Sequence, residues 1–407
     1  MADLHLLSPA GFRATGVYAG IKTKQLPDVG LLVCDAAAPT AAAVFTTNKV
    51  FAAPVKIGRE HLAESGGKIR AVVVNAGNAN ACTGRQGDKD ARRMCQLAAG
   101  VARCQEWEVL PSSTGIIGHL MPMEKVERGI VDAGQYLGDS LEHALLFSDA
   151  ILTTDTRRKT AATEFRVGRQ TVTVAGVCKG SGMIGPRLAL KAKQATMLAY
   201  LTTDAKVPRA LLASLLAEAS DESFNAVTVD DHASTNDTAA VIASGASGVA
   251  VGGRAEARKF ADALKDVCRS LAYQIAADGE GATKVVVVRV RGAATERDAQ
   301  AMARAIANSP LVKCAMHGND PNWGRIVSAA GYSGAEFDPS KCSLTLQGTV
   351  VFRNGQPVPF DDAKVSESLR APEVVTELNC RLGKADATCW TCDLSKDYVT
   401  INADYHT

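Results

Sequence analysis

The sequence contains no run of about 18 uninterrupted apolar residues, so no membrane-spanning helix is predicted. Its opening, MADLHLLSPAGFRATG, has no basic flank, no long apolar stretch and no small-residue cleavage site, and does not read as an export signal. Charge of one sign is also lacking: 45 lysines and arginines face 43 acidic residues, leaving +2. Without a basic arm or interleaved basic and aromatic residues, a nucleic-acid partner is not expected, and the substrate is expected to be small. No GxSxG elbow, Ser-His-Asp order or Walker spacing is present. Cys389 and Cys392 form one CxxC, but no second pair or histidine cluster completes a zinc pattern, so no metal is expected.

With 46% apolar residues over 407 positions, the chain can bury a sizeable core and fold as two or three domains. Its eleven cysteines are odd in number and scattered, mostly in apolar context (Cys95, Cys104, Cys178, Cys268, Cys314). That pattern fits reduced, buried thiols in a cytoplasmic protein.

Short apolar runs alternate with helical periodicity along the chain. Ala71–Asn75 reads as a buried strand. Lys89–Cys104 places Ala91, Met94, Cys95, Ala98 and Val101 on one helical face. Trp107–Leu110 leads into PSSTGIIG, a strand entering a glycine turn. Glu164–Val167 and Thr171–Val177 flank a hairpin turn at Gly168–Gln170. Helices follow around Pro208–Ala219, from Arg254 to about Ala276, and over Thr295–Asn308, with Lys284–Val290 a buried strand. Asn354–Gly355 signals a hairpin. In DYVTINADYHT, alternation puts Val399 and Ile401 on one strand face and Asn402 on the other. TTDT at Thr153 and TTDA at Thr202 read as two equivalent strand ends. The mixed order predicts α+β layers. A seam after DGEGATK divides the chain into domains 1–285 and 286–407.

Three segments hold hydroxyls beside glycines: SSTGIIG at Ser112, KGSGMIG at Lys179, and Thr196 just downstream. Acyl transfer needs a nucleophile, a base and oxyanion donors. Thr114 and Gly115 suit the last role, although taken alone the pair also reads as a plain turn. Lys179 suits a carboxylate or phosphate, although a loop lysine is commonly solvated. His232 in DDHASTNDT and His317 in HGNDPNWG read as members of polar turns. Glu280 in DGEG reads as a solvated carboxylate or as a group that meets a substrate amine.

Together these segments resemble the ornithine acetyltransferase family, also called glutamate N-acetyltransferase, of arginine biosynthesis. The resemblance is carried by FTTNKV at Phe45, VVNAGNANACTG at Val73, PSSTGIIG at Pro111, TTDT at Thr153 and KGSGMIGP at Lys179. ATML at Ala195, STNDT at Ser234, DGEGATK at Asp278, HGNDPNWGRI at His317 and the C-terminal DYVTINADYHT complete it. The fold it implies is an αββα sandwich core, similar to the aminopeptidase DmpA, with a smaller C-terminal α+β domain.

The resemblance implies self-cleavage at Ala195–Thr196, giving chains 1–195 and 196–407 that stay together, usually as α2β2. It implies Thr196 as nucleophile, with Thr114 and Gly115 as the oxyanion hole. Substrate contacts would come from Thr153 or Thr154, Lys179, Thr196, Glu280, Asn402 and Thr407. The implied reaction is ping-pong acetyl transfer from N-acetylornithine to glutamate in the cytoplasm, with no cofactor. Family members differ in whether acetyl-CoA is also a donor. The same fold also allows an amidase or aminopeptidase using water as acceptor, and an uncut amino-acid-binding protein is a third reading. Two departures stand out. Eight residues, RLALKAKQ, separate Pro186 from Ala195, about six more than the family has. DDHA precedes STNDT where the family has DGDT.

Overall fold

The computed structural model describes residues 4–188 and 197–404. Ala195, Thr196, Thr407 and all but the first two residues of RLALKAKQ lie outside the described residues. The chain divides into two units. One holds the described residues up to Asn225 together with His232–Leu271. The other holds Ala226–Asp231 and the described residues from Ala272 onward.

The first unit opens with β1 (Phe12–Val17), β2 (Val29–Cys34), β3 (Thr40–Phe45), α1 (Ala53–Glu64), β4 (Ala71–Asn78) and α2 (Gly84–Ala102). Next come β5 (Val109–Ile116), α3 (Met123–Gln135), α4 (Leu141–Ala150), β6 (Lys159–Val167) and β7 (Gln170–Lys179). It closes with β8 (Leu198–Thr203), α5 (Arg209–Asp221), β9 (Thr238–Ala243) and most of α6 (Arg254–Ala277). The strands form two sheets, ordered β1-β2-β4-β5 and β3-β9-β8-β7-β6.

Strands β2 and β4 are apolar at nearly every position because both of their faces are covered. Successive side chains point to opposite faces. Leu32, Cys34, Val72 and Val74 therefore meet Phe45, Val177, Leu198, Tyr200 and Ile242 of the second sheet, and this layer is the core between the sheets. Leu31, Val33 and Val73 point the other way, onto Met94, Cys95 and Ala98 of α2 and Val126 and Ile130 of α3. On the outer face of the second sheet, Phe165 meets Phe260 of α6 edge-on at 6.3 Å, and the Cys178 thiol donates to the Leu271 carbonyl at 3.7 Å. The order helix, sheet, sheet, helix is the αββα sandwich that the resemblance implied.

The second unit contains β10 (Val285–Ala293), α7 (Glu296–Asn308), α8 (Pro310–His317), α9 (Trp323–Gly331), β11 (Ser343–Leu346), β12 (Thr349–Arg353) and β13 (Gln356–Pro357). It continues through α10 (Asp362–Ser368), β14 (Glu373–Asn379), β15 (Ala385–Cys392) and α11 (Lys396–Asp404). One sheet, β13-β12-β11-β14-β10-β15, packs Val286, Val288 and Val290 against Met302 and Ile306 of α7. Asn354 and Gly355 both have positive φ, 52° and 79°, and turn β12 into β13.

Several sequence expectations change. DYVTINADYHT was read as a strand, but Lys396–Asp404 is a helix with no buried residue, so the face that alternation gave Asn402 does not exist. Its start is fixed by Ser395, whose hydroxyl accepts from the Tyr398 N–H at 3.4 Å and donates to the Gly281 carbonyl at 2.6 Å. TTDT lies in the loop between α4 and β6, whereas Thr202 and Thr203 lie inside β8, so the two are not equivalent strand ends. Besides the helix expected over Lys89–Cys104, which is part of α2, the first unit holds α1, α3 and α4, which the sequence does not predict. Cys314 is exposed, not buried. Gln170 belongs to β7, leaving Gly168 and Arg169 as the hairpin turn.

Gly281 is required where it stands. Its φ is +68°, and a Cβ there would come within 2.4 Å of the Tyr398 nitrogen. Replacing it with alanine is expected to cost about 2 kcal/mol from left-handed strain and the clash, and to detach α11. Hydrogen exchange across Lys396–Asp404 should rise in Gly281→Ala; unchanged protection would refute this.

Candidate active site

The site in the first unit is built where strands end. β4 and β5 run parallel, and their register slips at Asn78, which pairs with both Thr114 and Ile116. At the slip Gly115 takes φ +129°, and a Cβ on it would lie 2.4 Å from the Gly77 carbonyl carbon. Only glycine fits so close to the neighbouring backbone. Thr114, next to it, is buried within β5. The turn reading of Thr-Gly is therefore replaced by a strand bulge. The Asn236 side chain from STNDT braces this bulge by donating to the Ala79 and Ser113 carbonyls at 2.6 and 2.8 Å.

Lys179 is the last residue of β7 and is buried, not a solvated loop residue. Its ammonium donates to the Thr153 hydroxyl at 2.8 Å and, at a longer 3.4 Å, to the Thr114 hydroxyl. PSSTGIIG, TTDT and KGSG are thus joined through one side chain. The bond is to Thr153; Thr153 and Thr154 are both partly buried. Of RLALKAKQ only Arg187 and Leu188 are described, and the Asn225 amide donates to the Leu188 carbonyl at 2.9 Å.

Asp155 supplies the countercharge and was not singled out by sequence. Its side chain is completely buried, with Lys159 Nζ at 2.6 Å and Lys179 Nζ at 3.9 Å, and it accepts from the Gly180 N–H at 2.7 Å. Burial pushes its carboxyl up, but the charges of Lys179 and Lys159 and these hydrogen bonds outweigh it and hold the group well below the usual carboxylate range. Lys22 is a second residue that sequence reasoning missed. It donates to the Pro27 carbonyl at 2.7 Å, and burial, joined by the charge of Lys179, lowers its pKa to about 8.

In the second unit, the Asn402 amide donates to Glu280 Oε2 at 2.8 Å, and Glu280 is buried rather than solvated. DGEGATK and the C-terminal helix are therefore in contact. Asp393 accepts from the Thr283 hydroxyl at 2.6 Å and the Lys284 N–H at 3.1 Å, and is paired with His317 Nδ1 at 2.7 Å. HGNDPNWG is thereby an anchor for DGEGATK. Asp231, where the family has glycine, takes φ +55°, a conformation glycine adopts freely, and its carboxylate pairs with Arg304 at 3.2 Å. Ala195, Thr196 and Thr407 lie outside the described residues. Among the described residues, no group of three or more His, Cys, Asp or Glu side chains is placed to hold a metal, and no helix is long and apolar enough to cross a membrane.

A buried ammonium group beside two threonine hydroxyls, at the strand ends of an αββα sandwich, is able to bind the oxygens of an acyl group, and with the relatives that follow it marks the chain as an acyltransferase. More narrowly, it belongs to the ArgJ family, whose model matches residues 13–407. It is 46% identical over 403 residues to the arginine biosynthesis bifunctional protein ArgJ of Symbiobacterium thermophilum, covering 98% of each chain. The crystal structure of ArgJ from Bacillus halodurans is 39% identical with a TM-score of 0.51; the match covers 52% of this chain and 100% of that one. The ornithine acetyltransferase of Mycobacterium tuberculosis, solved with ornithine, is 35% identical with a TM-score of 0.42, covering 46% of this chain and 98% of that one.

Two outcomes are expected. Asp155→Asn removes one partner from buried charges and should lower unfolding free energy by about 3 kcal/mol, read from the denaturant midpoint; a loss below about 1 kcal/mol would contradict the assigned role. Lys22 should make stability rise with pH above about 8. Its folded pKa is depressed below the ordinary 10.5, so between these values the unfolded chain holds the extra proton. The melting temperature of wild type relative to Lys22→Met should climb from pH 8 to 10; a flat difference would refute the depressed pKa.

Proposed function

We propose that the chain transfers the acetyl group of N-acetylornithine to glutamate, releasing ornithine and N-acetylglutamate for arginine biosynthesis, through an acetyl ester on Thr196. The observation that carries this reading is Lys179. The last residue of β7, it is opposite Leu198, the first of β8, and it binds Thr153 and Thr114 there. The active threonine of the family falls two residues before Leu198 in sequence. The Bacillus halodurans chain, matched in full by about half of this one, is in keeping with chains cut near the middle.

Cleavage at Ala195–Thr196 gives Thr196 an α-amine with a pKa of about 8, a base able to take the proton from its own hydroxyl. That removes the need for a histidine. Thr196 Oγ attacks the acetyl carbonyl, and Thr114 and Gly115 stabilise the oxyanion; such a donor is commonly worth about 10²–10³ in rate. Ornithine leaves, glutamate takes the acetyl group, and the threonine is restored. Lys179 meets the amino-acid carboxylate and Glu280 the substrate ammonium, with Thr153 (or Thr154), Asn402 and Thr407 completing the contacts. The reaction needs no cofactor; acetyl-CoA would enter only as a second acetyl donor. The cut fragments associate as α2β2 in the cytoplasm.

Purified wild type and Thr196→Ala should be compared on a denaturing gel with intact mass. The wild type should yield fragments 1–195 and 196–407, and the variant a single inactive chain. An uncut but active wild type would sink the mechanism. Acetyl transfer to glutamate should proceed with N-acetylornithine as donor; activity with acetyl-CoA alone would defeat the recycling role.

A further inference from the structure

STNDT is one of the segments that carry the family resemblance, yet none of its residues is among the substrate contacts proposed above. Its third residue, Asn236, lies in the first unit two positions before β9 and is buried. A buried side-chain amide needs partners for two N–H groups and one oxygen, and where these go defines its role.

The Thr235 hydroxyl donates to Asn236 Oδ1, which sets the orientation of the amide. The nitrogen end donates to the Ala79 carbonyl at 2.6 Å and to the Ser113 carbonyl at 2.8 Å. One of these carbonyls lies just past the end of β4 and the other within β5. The amide therefore ties together the two strands whose register slips at Asn78. The backbone of Asn236 is itself held. Its N–H donates to the Ser234 hydroxyl at 3.3 Å, and its carbonyl accepts from the Thr238 hydroxyl at 3.2 Å. Both N–H groups of the amide are committed to carbonyls of the protein, so its role is not contact with a substrate.

The Ser113 carbonyl and the Thr114 N–H are opposite ends of one planar peptide. Holding the first fixes the direction of the second. On the far side of Thr114, Gly115 is pressed against neighbouring backbone. A Cβ on it would lie 2.4 Å from the Gly77 carbonyl carbon and 2.6 Å from the Asn78 nitrogen. The peptide between Thr114 and Gly115 is thus clamped on both sides. A peptide that precedes glycine is otherwise easy to turn over, because glycine accepts φ of either sign. The two commonest β-turn types differ by such a turn of their central peptide. Turning this one over would point the Gly115 N–H, a proposed oxyanion donor, the opposite way.

We propose that Asn236 is a positioning residue for acetyl transfer: its amide bridges Ala79 and Ser113 and so holds the Gly115 N–H in a single direction. It acts through the bulge and touches no substrate. Its effect falls on the step in which negative charge develops on the acetyl oxygen, because a preformed donor matters most there. A donor that wanders weakens the transition state more than the bound substrate, so kcat falls while KM is nearly kept. Aspartate cannot take its place, since a carboxylate would set an oxygen, without a proton to give, against two carbonyl oxygens.

The inference rests on the oxyanion role proposed above for Thr114 and Gly115, and the test separates the two. Full-length wild type, Asn236→Ala and Asn236→Asp are compared for acetyl transfer from N-acetylornithine to glutamate, with the cut fraction counted by intact mass. The amide signal of isotopically labelled Gly115 is followed in each by NMR. Both variants should melt cooperatively and lose about 10²-fold in kcat, with KM for both substrates within about threefold of wild type. The Gly115 signal, single in the wild type, should split or broaden in the variants as the peptide turns over. A wild-type kcat in both variants, a loss carried by KM alone, or an unchanged Gly115 signal would overturn the proposal. Where the variants are not cut, the signal is read in Thr196→Ala with and without Asn236→Ala, and decides by the same criterion. Where neither variant folds, the wild type decides. Its two Asn236 side-chain N–H protons should give separate signals that exchange slowly with solvent, and rapid exchange would overturn the bridge. A wild type that transfers no acetyl group removes the proposed function, whereas an active wild type with normal Asn236 variants removes this inference alone.

Discussion

The interior of the first unit depends on how two lysines are accommodated. Lys159 and Lys179 are both buried, and one carboxylate, Asp155, serves both, at 2.6 and 3.9 Å. Taking ammonium groups out of water costs several kcal/mol each unless they are paired and hydrogen-bonded. Asp155 meets that cost from a loop rather than a strand, so the TTDT loop is drawn into the sheet edge where β7 ends. Everything that Lys179 reaches follows from this anchoring. Its bonds to Thr153 and Thr114 connect the second sheet to the bulge in the first. The bulge in turn is held by Asn236, two residues before β9. Candidate site and scaffold are therefore one hydrogen-bonded system, and the residues proposed to perform chemistry also lie at the ends of the sandwich strands.

Two carboxyl groups near this system are treated in opposite ways. Asp155 is surrounded by donors and stays ionised. Asp237 is equally buried, but among the described residues neither of its oxygens has a hydrogen-bond partner, and burial pushes its carboxyl well above the ordinary range. The contrast is one of environment, not of residue type: the same side chain is held charged in one place and pushed toward the neutral form in the other. Lys22 adds a third setting, in which burial outweighs the opposing charge of Asp28 and lowers an ammonium pKa to about 8.

Much of this was legible in the sequence, unevenly. The buried strands could be read because uniformly apolar runs such as AVVV have little other use. The long helix α6 could be read from its stripe of Phe260, Leu264, Val267 and Leu271. The candidate residues Thr114, Thr153, Lys179, Glu280 and Asn402 came from matched segments, and the fold places the first three together and the last two together. The burial of Lys179 and Glu280 could not be read. Lys179 and Glu280 look solvated in a linear sequence because a charge next to glycines gives no sign of what folds over it. Asp155 was overlooked for the same reason: its partners at 159 and 179 are set by the β6–β7 hairpin, not by local spacing. The C-terminal helix was misread because Val399 and Ile401 do alternate with polar neighbours, yet both are exposed, so the alternation marks no buried face. What decides the segment is the cap at Ser395, which depends on Gly281, more than a hundred residues earlier.

The order of the five-stranded sheet bears on the history of the molecule. β3, β6 and β7 precede residue 195 and β8 and β9 follow it, so in β3-β9-β8-β7-β6 the strands of the later half are enclosed by those of the earlier half. If the chain is cut ahead of β8, as proposed above, neither piece holds all the strands of this five-stranded sheet. Continuity of the uncut chain brings β8 and β9 into that slot, and once it is severed the route is gone. On that proposal the cut enzyme would keep a fold reached once, and its persistence would be set by the rate of unfolding rather than by a balance with the unfolded state.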